Sequence, residues 1–143
     1  MVRIAVIDGQ GGGIGSLVVK ALREAFGDSL EIVALGTNAS ATAAMMKARA
    51  DKGATGENAI CFNASRVEFI IGPLSILMPN GMLGELSPRM AEAISVSAAR
   101  KVIIPLNQEK VSVIGVEKEP LPHLVEKLIS ELKPLIEQEA RYV

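Results

Sequence analysis

The sequence predicts an α/β fold: one domain whose mostly parallel sheet, of about five strands, is covered by helices on both faces. Three observations lead there. Apolar runs without polar alternation recur along the chain, as in strands buried on both faces. Stretches with helical spacing separate those runs. The chain has 143 residues, one domain's length, with 49% apolar residues but only 3% aromatics. Its core must therefore be built from Val, Ile, Leu, Ala and Met.

Four runs read as strands, at residues 2–7, 31–35, 67–71 and 101–106. A fifth, 111–116, follows "NQEK" and reads as a hairpin partner or an edge strand. Between the first two, Ile14, Leu17, Val18, Ala21, Leu22 and Ala25 repeat on one helical face. Asn38 is a good N-cap for "ASATAAMMKARADK", and Gly53 is placed to end that helix. Residues 55–66 suggest a short helix. Ser87 and Pro88 open another over 89–100, since proline suits a first helical turn. The last helix carries Leu121, Leu124, Val125, Leu128, Ile129 and Leu132 on one stripe, and Pro134 should kink or interrupt it. The 72–88 stretch, "GPLSILMPNGMLGELSP", is irregular. Right-handed crossovers assemble this order into a single-domain, Rossmann-like three-layer sandwich spanning 1–143.

Charge and composition narrow the partners. Fifteen basic residues against sixteen acidic ones, no Trp and one Tyr give neither a basic footprint nor a stacking platform for nucleic acid. Cys61 is the only cysteine, which excludes an internal disulfide and a cysteine-rich metal site. "MVRIAVIDG" has no leader-like pattern, and the uncharged 69–84 stretch is broken by Pro73, Pro79 and Asn80. The expectation is a soluble, cytoplasmic protein with no membrane span.

The densest signal is "VIDGQGGGIGSLV", with five glycines in positions 9–15 straight after the first strand. Such a loop turns tightly and lets backbone N–H groups approach an anion at the positive end of a helix. The dinucleotide spacing G-x-G-x-x-G fails, because the last glycine would fall on Ile14 or Ser16. Gly9, Gly13 and Gly15 instead fit G-x-x-x-G-x-G. That loop resembles the one bordering the cofactor pyrophosphate in short-chain dehydrogenases, which implies a nucleotide such as NAD(P) as cofactor. The resemblance covers the first strand, loop and helix only. No Tyr-x-x-x-Lys pair exists, the one tyrosine being Tyr142. Neither acid nor arginine stands at Gly36, Thr37 and Asn38 to meet a ribose. Gln10 to Ser16 also resembles the loop of partition-type ATPases without its two lysines, which disfavours phosphoryl transfer. The structural alternative is a packing turn, for which one or two glycines would suffice.

Ligands of open α/β sheets sit at the carboxyl ends of the strands. The expected ligand-binding set is Asp8, Gly9, Gln10, Gly11, Gly12, Gly13, Gly15, Thr37, Asn38, Glu57, Asn58 and Asn107, with Thr55, Asn80 and Glu85 nearby. It is rich in amides and carboxylates and lacks Lys and Arg, which suits a nucleoside or sugar bearing a phosphate. Asp8, Glu57 or Glu85 would serve as a general base or hold magnesium, although no dedicated metal cluster is evident. Each has a structural alternative: Asp8 capping its own turn, Asn38 capping a helix, Glu57 favouring a helix start. Cys61 reads as a small buried apolar residue and His123 as a surface residue. Met45, Met46, Met78, Met82 and Met90 read as core or interface filler.

Four strings, "IAVIDGQGGGIG", "IVALGTNASATAAMMKARADKGATGENAI", "IIGPLSILMPNGMLGELSPRMAEAIS" and "VIIPLN", resemble a family of small bacterial proteins described as a domain of unknown function. The resemblance spans about residues 3–130. It implies one Rossmann-like domain and adds no reaction or catalytic residue. Three functional expectations follow. The first is binding of a nucleotide or phosphorylated metabolite at the glycine loop. The second is a small enzyme acting on a nucleotide or sugar phosphate, with Asp8 or Glu57 as base or metal ligand. The third is a non-catalytic interaction protein whose uncharged 69–86 stretch supplies a homodimer or partner face.

Overall fold

The computed structural model describes residues 1–106 and 110–141. Five parallel strands form one sheet in the order β3-β2-β1-β4-β5. They are β1 (Val2–Asp8), β2 (Leu30–Gly36), β3 (Lys52–Thr55), β4 (Phe69–Pro73) and β5 (Arg100–Ile104). Helices α1 (Gly13–Phe26), α2 (Ala39–Lys47), α3 (Glu57–Ala64), α4 (Pro88–Val96) and α5 (Leu121–Ala140) complete the three layers. A single 3₁₀ turn, Leu74–Leu77, follows β4. The fold is the expected Rossmann-like α/β sandwich, with a wholly parallel sheet.

Each central strand feeds two cores, because successive side chains point to opposite faces. Val2, Ile4 and Val6 join Val18, Val19 and Leu22 of α1 and Leu124, Leu128 and Leu132 of α5. Ala5 and Ile7 join Ile60 of α3, Ile76 beyond β4, and Met90 and Ile94 of α4. Burial on both faces is why these strands read as unbroken apolar runs. The stripe predicted for α1 is shifted slightly, since Val19 is fully buried whereas Ala25 is exposed.

Several expectations need correction. Residues 111–116 form no strand, and Val113, Ile114 and Val116 are exposed. The remaining strand is β3, a polar edge piece pairing Lys52–Thr55 with Val33 to Gly36. The second helix therefore stops at Lys47, well before Gly53, with Arg49 left-handed at φ 86°. Arg23 fixes that stop. Its guanidinium donates to Arg49 O and Asp51 Oδ2, while Asp51 Oδ2 also accepts the Ile32 N–H. The fourth helix ends at Val96, so that Arg100 starts β5. Pro134 does not interrupt α5, which runs through it with that residue exposed. Cys61 is only partly buried. The short helix expected within 55–66 is α3.

Among the described residues no helix is long and apolar enough to cross a membrane.

Candidate functional site

The chain leaves β1 toward β2 on one side and returns to β4 on the other. The carboxyl ends of β1 and β4 therefore flank the switch point of the sheet. A cavity of about 200 Å³ lies there, lined by residues 8–14 together with Pro73, Ser75 and Met82. That volume is below the roughly 300 Å³ at which whole-ligand pockets begin.

Asp8 organises the glycine loop from beneath. It is 4% exposed, and its Oδ1 and Oδ2 accept the N–H groups of Gly9 and Gly15 at 2.8 and 2.7 Å. Burial raises its pKa above the ordinary 3.8. The N–H groups of Gly15, Gly9 and Ile14 oppose that shift, and nearby Glu85 adds to it. Part of the positive end of α1 is thus already engaged by a carboxylate of the protein itself.

Glu85 organises the loop from outside. Its Oε1 accepts the Thr37 hydroxyl at 2.6 Å, the Gln10 N–H at 2.9 Å and the Asn38 Nδ2 at 2.9 Å. The Thr37 hydroxyl is the largest influence holding its carboxyl below the ordinary range, followed by the Gln10 N–H. Asn38 also caps α2 through Ala41 N and donates to Gln10 O. One carboxylate therefore ties the loop after β1, the end of β2 and the 78–86 segment together. That segment holds Asn80, Met82, Leu83 and Gly84 in left-handed conformations, a cost that fixed tertiary contacts must offset.

The five loop glycines divide into two groups. A Cβ on Gly9 would lie 2.4 Å from both Met82 Sδ and Thr37 Oγ1, and one on Gly15 would lie 2.9 Å from Asp8 Cβ. Gly12 has φ 73° and is pressed against the Ala41 backbone. Packing and turn geometry account for these three. Gly11 and Gly13 are exposed, meet nothing within 4 Å and have no left-handed φ. Their N–H groups make no hydrogen bond among the described residues.

Sequence reasoning missed Ser75. It is 3% exposed and lines the cavity from the β4 side. Its hydroxyl forms no hydrogen bond among the described residues. A polar residue just beyond the end of a doubly buried strand was the available signal.

The other expected residues are placed elsewhere or differently. Glu57 opens α3, where its Oε2 accepts the Ser87 hydroxyl at 2.5 Å and its Oε1 pairs with Arg89 at 3.3 Å. The Ser87 hydroxyl is the main cause of its lowered pKa. Asn58 is exposed beside it, and Thr55 shares a 2.7 Å hydroxyl contact with Thr42. Asn107 lies outside the described residues. His123 is exposed in the first turn of α5, as expected. Among the described residues, no three His, Cys, Asp or Glu side chains are grouped as cation ligands. Two larger hollows, about 400 and 650 Å³, lie between β5, α5 and residues 110–120. Charged residues Glu117, Lys118, Glu119, Lys127 and Glu131 line them, and of these Glu119 and Lys127 pair with each other.

Comparison with solved structures finds similarity to the crystal structure of a dodecameric FMN-dependent UbiX-like decarboxylase from Escherichia coli O157:H7. Identity is 16%, coverage is 92% of this chain and 94% of that one, and the TM-score is 0.45. No curated protein matches the chain. A family model matches residues 3–137, nearly the full length, and the chain therefore belongs to the family described as "Domain of unknown function (DUF3842)".

Proposed function

We propose that this chain binds a nucleotide or phosphorylated metabolite at the β1/β4 switch point, with the ligand's anionic head in the cavity over the glycine loop. The observation that carries this reading is the division among the glycines. Gly9, Gly12 and Gly15 are needed by the fold, whereas Gly11 and Gly13 are not. A glycine without a structural reason costs roughly 0.5–1 kcal/mol relative to alanine in regular structure. Close approach of a ligand to bare backbone supplies the missing reason, and the free N–H groups of Gly11 and Gly13 supply its donors. The unpartnered Ser75 hydroxyl supports the same location.

The enzymatic reading has less support. Both oxygens of Asp8 and both of Glu57 already accept hydrogen bonds, so neither carboxylate is presented as a free base. Thermal shift with nucleotides, flavin nucleotides and sugar phosphates, with and without magnesium, tests the proposal. A ligand at a hundred times its Kd adds about 2.7 kcal/mol, a rise of roughly 5–10 °C for a domain of this size. The same ligand should displace the NMR amide signals of Gly11 and Gly13. A panel that moves neither the midpoint nor those signals refutes the proposal.

A further inference from the structure

Resting on that reading, we infer that the site takes a singly charged phosphodiester, held by the Ser75 hydroxyl and the N–H groups of Gly11 and Gly13, and discriminates against a terminal phosphate dianion. Donors and charges lead to this choice. The cavity carries no Lys or Arg among its lining residues. Asp8 forms its floor, with both oxygens engaged by backbone N–H groups. Glu85 accepts the N–H of Gln10, the residue next to Gly11, so a second carboxylate stands just behind the lining. An entering anion thus meets two carboxylates and only neutral uncommitted donors: the Ser75 hydroxyl, the N–H groups of Gly11 and Gly13, and the side-chain amide of Gln10.

Ser75 provides the observation independent of the loop. Ser75 is 3% exposed as a residue and borders the cavity, its hydroxyl makes no hydrogen bond among the described residues, and it is not sealed off from the cavity, so it is available to a ligand. A hydroxyl and two N–H groups match the acceptor capacity of one exposed pair of oxygens, as in a carboxylate or a phosphodiester. A dianion would add one further unit of repulsion with each carboxylate. At an effective dielectric near 20 and a separation near 10 Å, each such unit corresponds to about tenfold in affinity, so that tenfold is the least gap the two carboxylates together produce.

The experiment is an NMR titration of the full chain at pH 8 and constant ionic strength, with three small probes. Methyl phosphate is there a dianion, since its second ionisation lies near 6. Dimethyl phosphate and acetate are monoanions. The expected result is that dimethyl phosphate moves the Gly11 and Gly13 amide signals with a Kd at least about tenfold below that of methyl phosphate. Tighter binding of acetate than of dimethyl phosphate would overturn the inference. Glu85→Gln should narrow the gap by improving methyl phosphate. Ser75→Ala should weaken the preferred monoanion about fivefold or more without lowering Tm. Equal or tighter binding of methyl phosphate overturns the inference and leaves the ligand-binding reading standing. So does a lack of response to Ser75→Ala. Silence from all three probes with a response to a nucleotide or sugar phosphate also overturns the inference alone. Silence from both sets overturns both.

Discussion

A methyl group at Gly9 would collide with Met82 and Thr37, and one at Gly11 would enter open space. Alanine substitutions therefore separate the structural glycines from the proposed functional ones. Gly9→Ala and Gly15→Ala should each lower stability by about 1–3 kcal/mol, as overpacking does. Gly11→Ala and Gly13→Ala should leave stability unchanged or raise it by up to about 1 kcal/mol, while abolishing ligand shifts. Chemical denaturation of the four variants measures the first effect, and ligand titration the second. Asp8 makes a separate prediction about pH. Its pKa is raised on folding, chiefly by burial. Just above the ordinary 3.8, the unfolded chain has released this proton while the folded chain retains it. Stability contributed through Asp8 therefore falls as pH rises through that window and is regained in acid. Glu85 and Asp51, with lowered values, act oppositely and lose their contribution as pH falls. In Asp8→Asn, stability should decline more steeply with acidification than in the wild type, because the opposing contribution is gone. Denaturation midpoints between about pH 3 and pH 6 would show an unchanged slope if Asp8 were not perturbed.

At the scale of elements, α5 tolerates a residue that ordinarily breaks helices. Pro134 is exposed, so its ring disturbs no core contact while its missing N–H leaves one carbonyl of the preceding turn without a helical donor. Pro134→Ala should restore that bond and stabilise the protein by about 1–3 kcal/mol, read as a higher Tm. An unchanged or lower Tm would mean that the proline is matched to a bend the packing requires. Which elements were legible in the sequence follows from burial. The central strands β1, β2 and β4 are buried on both faces and announce themselves, and the edge strand β5 shows through its apolar end, Val102 to Ile104. "KGAT" of β3 lies at the sheet edge with its side chains largely in water, so it carries no apolar run. "VSVIGV" has the composition of a strand but forms none, and its Ile114 is 95% exposed. The glycine loop was legible because it is local. Glu85 was recognised only as a neighbour of the site, because its partners Gln10, Thr37 and Asn38 lie 47–75 residues away along the chain. Ser75 carried only a weak signal for a related reason: the strand order alone places the end of β4 beside that of β1.

For the whole molecule, the sheet divides the interior into two cores of unequal dependence on the chain's far end. One core is covered by α3, which crosses from β3 to β4, and by α4, which joins the neighbouring β4 and β5. The other relies on α5, which arrives after the last strand and packs on α1, β1 and β5. Leu124, Val125, Leu128, Leu132 and Ile136 of α5 are all buried there. At about 1.5–3 kcal/mol for each buried side chain, these five supply roughly 8–15 kcal/mol. A domain's entire net stability is about 5–15 kcal/mol. The glycine loop and α1 sit on this same core, so the proposed site depends on α5 as well. Truncation after Pro120 should accordingly unfold the domain, seen as loss of the cooperative thermal transition. Leu132→Ala, a milder change at a fully buried position, should cost about 2–5 kcal/mol and keep the fold. A truncated chain that still melts cooperatively, with Gly11 and Gly13 amide signals in place, would show that the 121–140 helix is an accessory layer and that α1 and the sheet hold the site on their own.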